Sequence, residues 1–455
     1  DISGAVTSVS TKDLPQVANT SINHLLQGRA PGLNISQRSA QPGGGLDINI
    51  RGAISPQGSN APLYVVDGVP LFNNSQPEPG LSGGQLGFNG GVDRNPLNTI
   101  NPSDIESIDI LKDASATAIY GASAANGVVL ITTKRGKEGP MSVEYRGSYT
   151  VQTPLDYIDF FKGKEFMQQH NRLAHDQYLF LNEIAPYGDT DPSTVAAFNP
   201  RFSTYDIQNV GEGTDWLDLL IRNGKIQEHN ISISGGTDKT RIYTAINFYD
   251  QEAILENSGF RRYTGRLNVD QQLGSRVKVG LNLTASQINS TNVSTGSNSG
   301  GVEKYNMLQA AFAFSPTNGI FTPEGRYTRS FDPLITNPAA FLIMDDNLTT
   351  SRFFVAPNVE IKILDELKLT LTGGIDRQNA QRGFYLPRAV ENIQYPRGSA
   401  QKSTNYIGNY TSEGYLTFDK AIGDLSLNVV AGAGLYKTMT DFFDVTAVDF
   451  FTDVF

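Results

Sequence analysis

Cysteine is absent from the chain, which excludes disulfide scaffolds, cysteine-ligated zinc and thiol catalysis while leaving both cytoplasm and periplasm open. Histidine is scarce: His24, His170, His175 and His229 show no HExxH spacing and no carboxylate set around them. The acidic stretches "LIMDD" and "GDTDP" lack the DxDxDG spacing of a calcium loop, so neither a metal nor a cofactor is expected. "GASAA" at 121–125 falls one residue short of a nucleophile elbow and lies between a helix and a strand, the reverse of the order that motif needs. No enzyme is indicated. Net charge is −10, and no basic stripe is interleaved with aromatics, which argues against a nucleic-acid binder. No run of eighteen apolar residues exists, so no transmembrane helix is expected. A transmembrane β-barrel passes that test unseen, because each of its strands shows only about ten alternating residues. Asp1 is not an initiator, and nothing resembles a signal peptide, so processing or trimming at the start is expected.

Glycine (45), tyrosine (19) and phenylalanine (24) are plentiful, which favours turns and aromatic-rich strands. In "PLYVVDGVPLF" the fully apolar Leu63–Val66 should be covered on both faces. Asp67-Gly68 is a two-residue hairpin signal, and Pro70 cannot donate to a ladder, so the returning strand is short or at an edge. Thr20 or Ser21 caps a short helix with Ile22, Leu25 and Leu26 on its apolar face and Gly28 as its stop. "SDIE" at 103–106 has the spacing of a capping box, "SIDILK" reads as a strand, and Asp113 caps "ASATAIY" up to Gly121. Asn126-Gly127 turns into a strand over 128–133, while "QPGGG" and residues 73–95 read as loops. Residues 1–137 are therefore expected to form a small α+β domain.

From residue 140 the period changes to two. Met141, Val143, Tyr145, Gly147, Tyr149 and Val151 oppose Ser142, Glu144, Arg146, Ser148, Thr150 and Gln152. Tyr263, Gly265, Leu267 and Val269 oppose Thr264, Arg266, Asn268 and Asp270; Val277, Val279, Leu281 and Leu283 oppose Lys278, Gly280, Asn282 and Thr284. Stretches from 227, 240, 359, 367, 405 and 425 repeat the alternation, giving roughly nine strands of barrel-wall length. Connections alternate between tight (272–276, 364–366) and long (288–348, 381–404), as in outer-membrane barrels. The alternative is a soluble β-sandwich or propeller.

At this point the wording carries a family resemblance. "LDINIRGAIS", "PLYVVDGVPL" and "LNTINPSDIESIDILKDASATAIYGASAANGVVLITTKRGK", with the strand that follows, resemble the plug and first wall strand of TonB-dependent outer-membrane transporters of the SusC/RagA type. The match runs in order over residues 4–152; beyond it stand the strand pattern and "SPTNGIFTPEGRY". The resemblance implies a membrane all-β fold with an α+β plug: a plug domain over 1–137 and the N-terminal portion of a large antiparallel transmembrane β-barrel over 138–455. Family barrels have about 22 strands, so a further C-terminal portion of several hundred residues is expected. The implied function is active import of an oligosaccharide or peptide across the Gram-negative outer membrane, with the plug gating the lumen. The implied partners are the TonB-ExbB-ExbD energising complex, a SusD-like surface lipoprotein and outer-membrane lipid. The rival is a soluble or surface carbohydrate-binding β-rich protein without transport. Tyr145, Tyr149, Tyr263, Leu267, Val279 and Leu281 discriminate: they face lipid in a barrel and fill a closed core in a sandwich.

Three groups of site residues follow. A buried guanidinium needs a partner, so Arg51 in "NIRG" could latch the plug to wall carboxylates such as Glu144 or Asp270, or bond to plug carbonyls. Asp67, Gly68 and Pro70 form the plug turn, with Asp67-Gly68 read as a turn requirement. Asn73, Asn74, Gln76, Gln85 and Asn89 offer amides to a ligand, and Tyr64 and Phe72 could stack on a sugar ring or pack in the core.

Overall fold

The structure is a computed structural model of the chain. It describes residues 6–10, 26, 28–37, 41–44, 46–50, 52, 61–71, 96–113, 120–121, 124–155, 159–293, 306–390, 395–422 and 425–453. The expected helix start at 20–25, residues 114–119 of the "ASATAIY" turn, Arg51, Phe72 and the loop 73–95 lie outside the described residues.

The N-terminal unit is built on a five-stranded sheet of β1 (Val6–Ser10), β4 (Leu63–Val66), β5 (Val69–Leu71), β6 (Ile105–Leu111) and β7 (Val128–Thr133), in the order β1-β6-β7-β4-β5. A separate hairpin pairs β2 (Leu33–Gln37) with β3 (Leu46–Ile50). All four β4 residues are buried, as their unbroken apolar run demands. Asp67 (φ 47°) and Gly68 (φ 86°) both take the left-handed conformation of a tight hairpin turn. β5 returns as the three-residue edge strand that Pro70 permits. One local expectation fails: "SDIE" caps no helix. Asn101 is the cap instead, its side chain accepting the Ser103 N–H over the single 3-10 turn Pro102–Asp104, and β6 starts at once. Ile105, Ile108, Ile110 and Leu111 are drawn into the buried sheet, and that burial outweighs a local helix signal.

The second unit is a nine-stranded sheet in which each strand pairs antiparallel with its sequence neighbour. Its members are β8 (Gly139–Gln152), β9 (Gly224–Gly236), β10 (Thr240–Glu252), β11 (Gly259–Leu273), β12 (Val277–Thr291), β13 (Asp345–Lys362), β14 (Leu367–Leu386), β15 (Ser399–Ile422) and β16 (Leu425–Val448). Among the described residues the sheet is open, with β8 and β16 as its edges. β11–β12 and β13–β14 are joined by three or four residues. Residues 153–223, between β8 and β9, carry helices α1 (Gly163–Leu181) and α2 (Thr204–Asn209), and residues 292–344, between β12 and β13, carry α3 (Met307–Ala313).

The two faces of the wall differ in kind. In register, Leu267, Leu283 and Val355 share the outer face, which continues to Tyr145 and Tyr149 on β8, respectively 63% and 64% exposed. No second sheet covers this face among the described residues, so it fills no sandwich core. Along β12 the outer positions run Val277, Val279, Leu281, Leu283, Ala285, then Gln287 and Asn289. β14 changes similarly, from Leu367, Leu369, Leu371 and Ile375 to Arg377, Asn379 and Gln381. An apolar band thus ends on the long-loop side, where the strands outrun the roughly 9–11 residues that a bilayer crossing needs. Tyr145, His229, Phe248 and Tyr263 lie in a cross-strand row over β8–β11, with ring centroids 5.2 to 6.3 Å apart, in the manner of an interfacial aromatic girdle. The inner face is polar, and the small sheet packs against it: Phe354 and Ala356 of β13 join the core that Val9, Ile48, Tyr64, Leu71, Ile108 and Ile131 build.

Candidate functional site

Where the small unit meets the inner wall, the contacts converge on Asp67. Its positive φ places the carboxylate beside the end of β7, where Thr133 donates its N–H to Oδ1 (3.0 Å) and its hydroxyl to Oδ2 (2.6 Å). The same Oδ2 accepts Arg266 Nη2 of β11 at 3.0 Å and the Asn282 amide of β12. Arg266 also donates to Asn282 Oδ1 (3.0 Å) and to the Thr133 hydroxyl. Both charged side chains are 2% exposed. A buried ion pair of this kind persists only when further hydrogen bonds satisfy the remaining lone pairs, and Thr133 and Asn282 supply them.

Further wall side chains reach the same unit. Arg352 of β13 forks onto Asp376 of β14 (2.6 and 2.9 Å) and sends its third nitrogen to the Thr99 hydroxyl at 2.9 Å. Arg262 of β11, fully buried with its guanidinium 5.4 Å from the Tyr249 ring centre, donates to the Asn98 carbonyl at 3.1 Å. The 3-10 turn Pro96–Thr99 that receives both arginines is anchored by Leu97, which has no exposed surface. Tyr243 of β10 donates to Asp104 (3.0 Å), and Asn268 of β11 to the Lys134 carbonyl (2.9 Å). Burial pushes the Asp104 carboxyl above its ordinary range, against the lowering effect of nearby Arg266, Tyr243, Lys134 and Arg262.

Close approach is built into the backbone as well. A Cβ on Gly374 of β14 would stand 2.6 Å from Val69 Cγ1, and one on Gly136 would stand 2.3 Å from the Ile242 nitrogen, so only glycine lets hairpin and connector lie so near the wall. Between Val66, Leu71, Thr99, Arg266, Arg352 and Phe354 the remaining gap is about 20 Å³, space for about one water.

The described residues test the expected latch only through its two wall carboxylates. Arg51 lies outside the described residues. Glu144 instead takes Arg146 of its own strand at 2.6 Å, and both are exposed. Asp270 pairs with Arg135 of the connector (3.4 Å) and lies 3.9 Å from Lys278. In the Asp67 contact the polarity is the reverse of the one expected: the wall presents the arginine and the small unit the carboxylate. Asp67 is thus more than a turn residue. Its role was missed because turn chemistry alone accounts for Asp-Gly. The signal was Arg266, a charge placed by alternation on the face opposite Leu267. Tyr64 is 2% exposed in the core and unavailable to a ligand, because β4 is covered on both faces. The amides at 73–89 lie outside the described residues. Among the described residues no cluster of three or more His, Asp or Glu could hold a metal.

Comparisons with known proteins bear on both units. The family described as TonB-dependent Receptor Plug Domain matches residues 1–128. TonB-dependent receptor P3 of Formosa agariphila is 29% identical over 97% of this chain and 39% of its own length. TonB-dependent receptor SusC of Bacteroides thetaiotaomicron is 28% identical over 95% of this chain and 41% of its own. The chain thus spans about two fifths of the length of these relatives. Among solved structures, the RagAB peptide importer in its closed-closed state superposes with a TM-score of 0.75 at 24% identity, covering 100% of this chain and 50% of that one. The unliganded ferric citrate transporter FecA gives 0.56 at 13%, covering 98% and 49%. Residues 1–128 thus match a plug domain, the nine strands take the fold of part of an outer-membrane barrel wall, and the chain is similar over nearly its whole length to TonB-dependent receptors such as SusC.

Proposed function

We propose that the protein imports a nutrient, an oligosaccharide or a peptide, actively across the outer membrane, with residues 1–137 acting as the plug that gates a lumen walled from residue 138 onward. The observation that carries this reading is the character of the plug–wall contact. Where Val66, Leu71, Arg266 and Phe354 meet it leaves a gap of about 20 Å³, and it is held by a buried ion pair and by hydrogen bonds to Thr99, Asn98, Asp104 and Lys134. Surfaces of this kind can be separated and rehydrated, because water satisfies the groups that the contact joined. The plug's own apolar core would unfold at far greater cost.

Nothing in the chain supplies energy for that separation. The reading therefore calls on TonB with ExbB and ExbD to pull on the plug, and on a SusD-like lipoprotein to cover the extracellular side. Among the described residues no acid–base constellation favours an enzyme. The test is uptake by cells expressing the full gene product, with labelled oligosaccharide and peptide pools offered to strains with and without TonB. Uptake that needs TonB supports the reading; accumulation indifferent to TonB refutes it.

A further inference from the structure

The outer face of the wall carries a pair of cations where its apolar band ends toward the long loops. The uncharged run of outer positions on β14 ends at Ile375 and that on β16 at Leu435, and the next outer positions are Arg377 and Lys437. In register, Arg377 stands opposite Gly408 of β15 and Lys437 opposite Tyr410, so the two cations flank one strand. From strand spacing and rise their Cα atoms are about 12 Å apart, a gap that two long side chains close from either side. The runs 367–375 and 425–435 each have the roughly 9–11 residues that a bilayer crossing needs. Both charges therefore stand at the depth of lipid headgroups, on the side where barrels of this kind have their extracellular loops.

Elsewhere the wall neutralises such charges itself. Above the band on β11, Arg261 forks onto Asp250 of β10 at 3.0 and 3.2 Å. At the tight-turn end, Lys362 lies 2.9 Å from Asp365, Lys368 3.7 Å from Glu360 and Lys420 3.9 Å from Glu366. Arg377 and Lys437 depart from that rule. Both are exposed, and among the described residues neither is paired with a carboxylate. Asp441 is their acidic neighbour on this face, opposite Tyr406; four residues along β16 from Lys437, it lies about 13 Å away.

Arg377 is also held in place. Its Nε donates to the Tyr410 hydroxyl at 3.1 Å, and the guanidinium carbon lies 5.6 Å from the centre of that ring. Tyr406 is hydrogen-bonded to Tyr410 in turn. Both tyrosines lean over Gly408, where a Cβ would stand 3.1 Å from the Tyr406 hydroxyl and 3.3 Å from the Tyr410 ring, so glycine keeps a notch open beside the guanidinium. The bond to Tyr410 takes one of the five guanidinium N–H donors. It leaves Nη1 and Nη2, the edge that grips an oxyanion in a bidentate manner, without a protein partner among the described residues. Toward the band, Phe353, Ile375, Leu371 and Leu435 are exposed and offer an apolar seat for acyl chains.

We propose that Arg377 and Lys437, with Tyr406 and Tyr410, bind the phosphate groups of an anionic glycolipid in the outer leaflet. Arginine matches a phosphate by geometry and lysine as a point charge, and basic side chains at headgroup depth are stabilised by anionic lipid. Tyrosine suits the same depth, with an apolar ring and a polar tip. An uncharged headgroup would leave both cations uncompensated at the edge of the hydrocarbon. The inference goes beyond the import reading: it requires that the outer face meet lipid, whatever the lumen carries.

The test is native mass spectrometry on the full gene product in an uncharged detergent, with four probes: diphosphoryl lipid A, monophosphoryl lipid A, digalactosyl diacylglycerol and glucosamine 1-phosphate. The two phosphorylated lipids are expected to bind about tenfold or more above the uncharged glycolipid, since one charge-assisted bond contributes roughly that factor. The double variant R377Q/K437Q should lose about tenfold for both, while K239Q, which removes an exposed lysine from the β9–β10 turn, should lose nothing. Heat-modifiable migration in gels verifies that each variant is folded, and R377Q and K437Q taken singly repeat the test, each with part of the loss. Equal affinity for digalactosyl diacylglycerol, folded double variants that bind diphosphoryl lipid A as wild type does, or glucosamine 1-phosphate binding as tightly as the lipids would each overturn the assignment. TonB-dependent uptake without cation-dependent lipid binding would sink this inference alone; cation-dependent lipid binding without TonB-dependent uptake would support it and sink import.

Discussion

Replacing Asp67 by asparagine isolates the charge at the plug–wall contact. Asparagine tolerates positive φ nearly as well as aspartate, so the turn at φ 47° survives the change, whereas alanine there would add backbone strain. What the change removes is the negative partner of a guanidinium that is 2% exposed. Leaving such a charge buried without its counter-ion costs about 3–5 kcal/mol. At about 1.4 kcal/mol per decade, the plug should open more often by about two orders of magnitude or more. Amide hydrogen exchange of the full product in detergent reads this directly at Thr133, whose N–H is held by Asp67 Oδ1, and at Asp67, whose N–H bonds to the Ile131 carbonyl. Arg266→Gln should produce a loss of similar size, and the double variant should fall short of the sum by about 1 kcal/mol or more, because the two groups act as one unit. If D67N speeds exchange at Thr133 less than about tenfold, or if the two losses simply add, the ion pair is not what holds the plug.

Other residues give sharper local tests. Gly374→Ala should strain the hairpin against the wall by about 1–3 kcal/mol, seen as faster exchange in β4 and β5, since the new Cβ meets both the Thr411 hydroxyl of β15 and Val69 of the hairpin. Asp104 is harder to ionise in the folded protein than in the unfolded chain. Its contribution to stability is therefore fully present below the unfolded carboxyl range, near pH 4, and is lost as pH rises through the raised folded value. Asp104→Asn should accordingly stabilise the plug near pH 7 and flatten its pH dependence, as followed by exchange between pH 4 and 8; an unchanged profile would count against it. On the outer face, Leu281→Arg should cost about 2–4 kcal/mol of barrel stability, measured by reversible unfolding in lipid, with no cost expected if that face met water.

The wall was legible because a period of two survives in every strand and the tight turns between strands carry their own chemistry. The plug hairpin was legible for the same reason: Leu63–Val66 is apolar without a break, and Asp67, Gly68 and Pro70 each restrict the backbone in a known way. "SDIE" was misread because a capping box has four residues of information, while Ile105, Ile108 and Ile110 are claimed by a sheet whose partner strand, β7, lies some twenty residues on. The latch was half visible. Alternation put Arg266, Asn268 and Asn282 on the face away from lipid, but period alone does not say whether that face meets water or a plug. Asp67, the partner of Arg266 and Asn282, is about 200 residues away. Local sequence carries no trace of a contact at that separation.

Of the three wall arginines that reach the plug, Arg352 and Arg266 differ in what each loses when the plug moves, and this bears on the order of release. Arg352 keeps its Asp376 fork within the wall and surrenders a neutral bond to Thr99. Such bonds contribute a net of about 0.5–1.5 kcal/mol. Arg266 surrenders the carboxylate with which it is paired, and keeps only the Asn282 amide oxygen on the wall. Strain applied to the plug should therefore free the Pro96–Thr99 turn first and leave the plug pivoting on Asp67. On the import reading proposed above, a gate arranged in this way resists small pulls, because one strong contact remains when the weak ones have yielded, and opens in one step when it fails. It also recloses in register, since Asp67, held at positive φ beside Thr133, presents its carboxylate to Arg266 at 3.0 Å. Exchange data bear on the order: Thr99→Ala should loosen the turn while leaving protection at Thr133 intact, whereas D67N should loosen both.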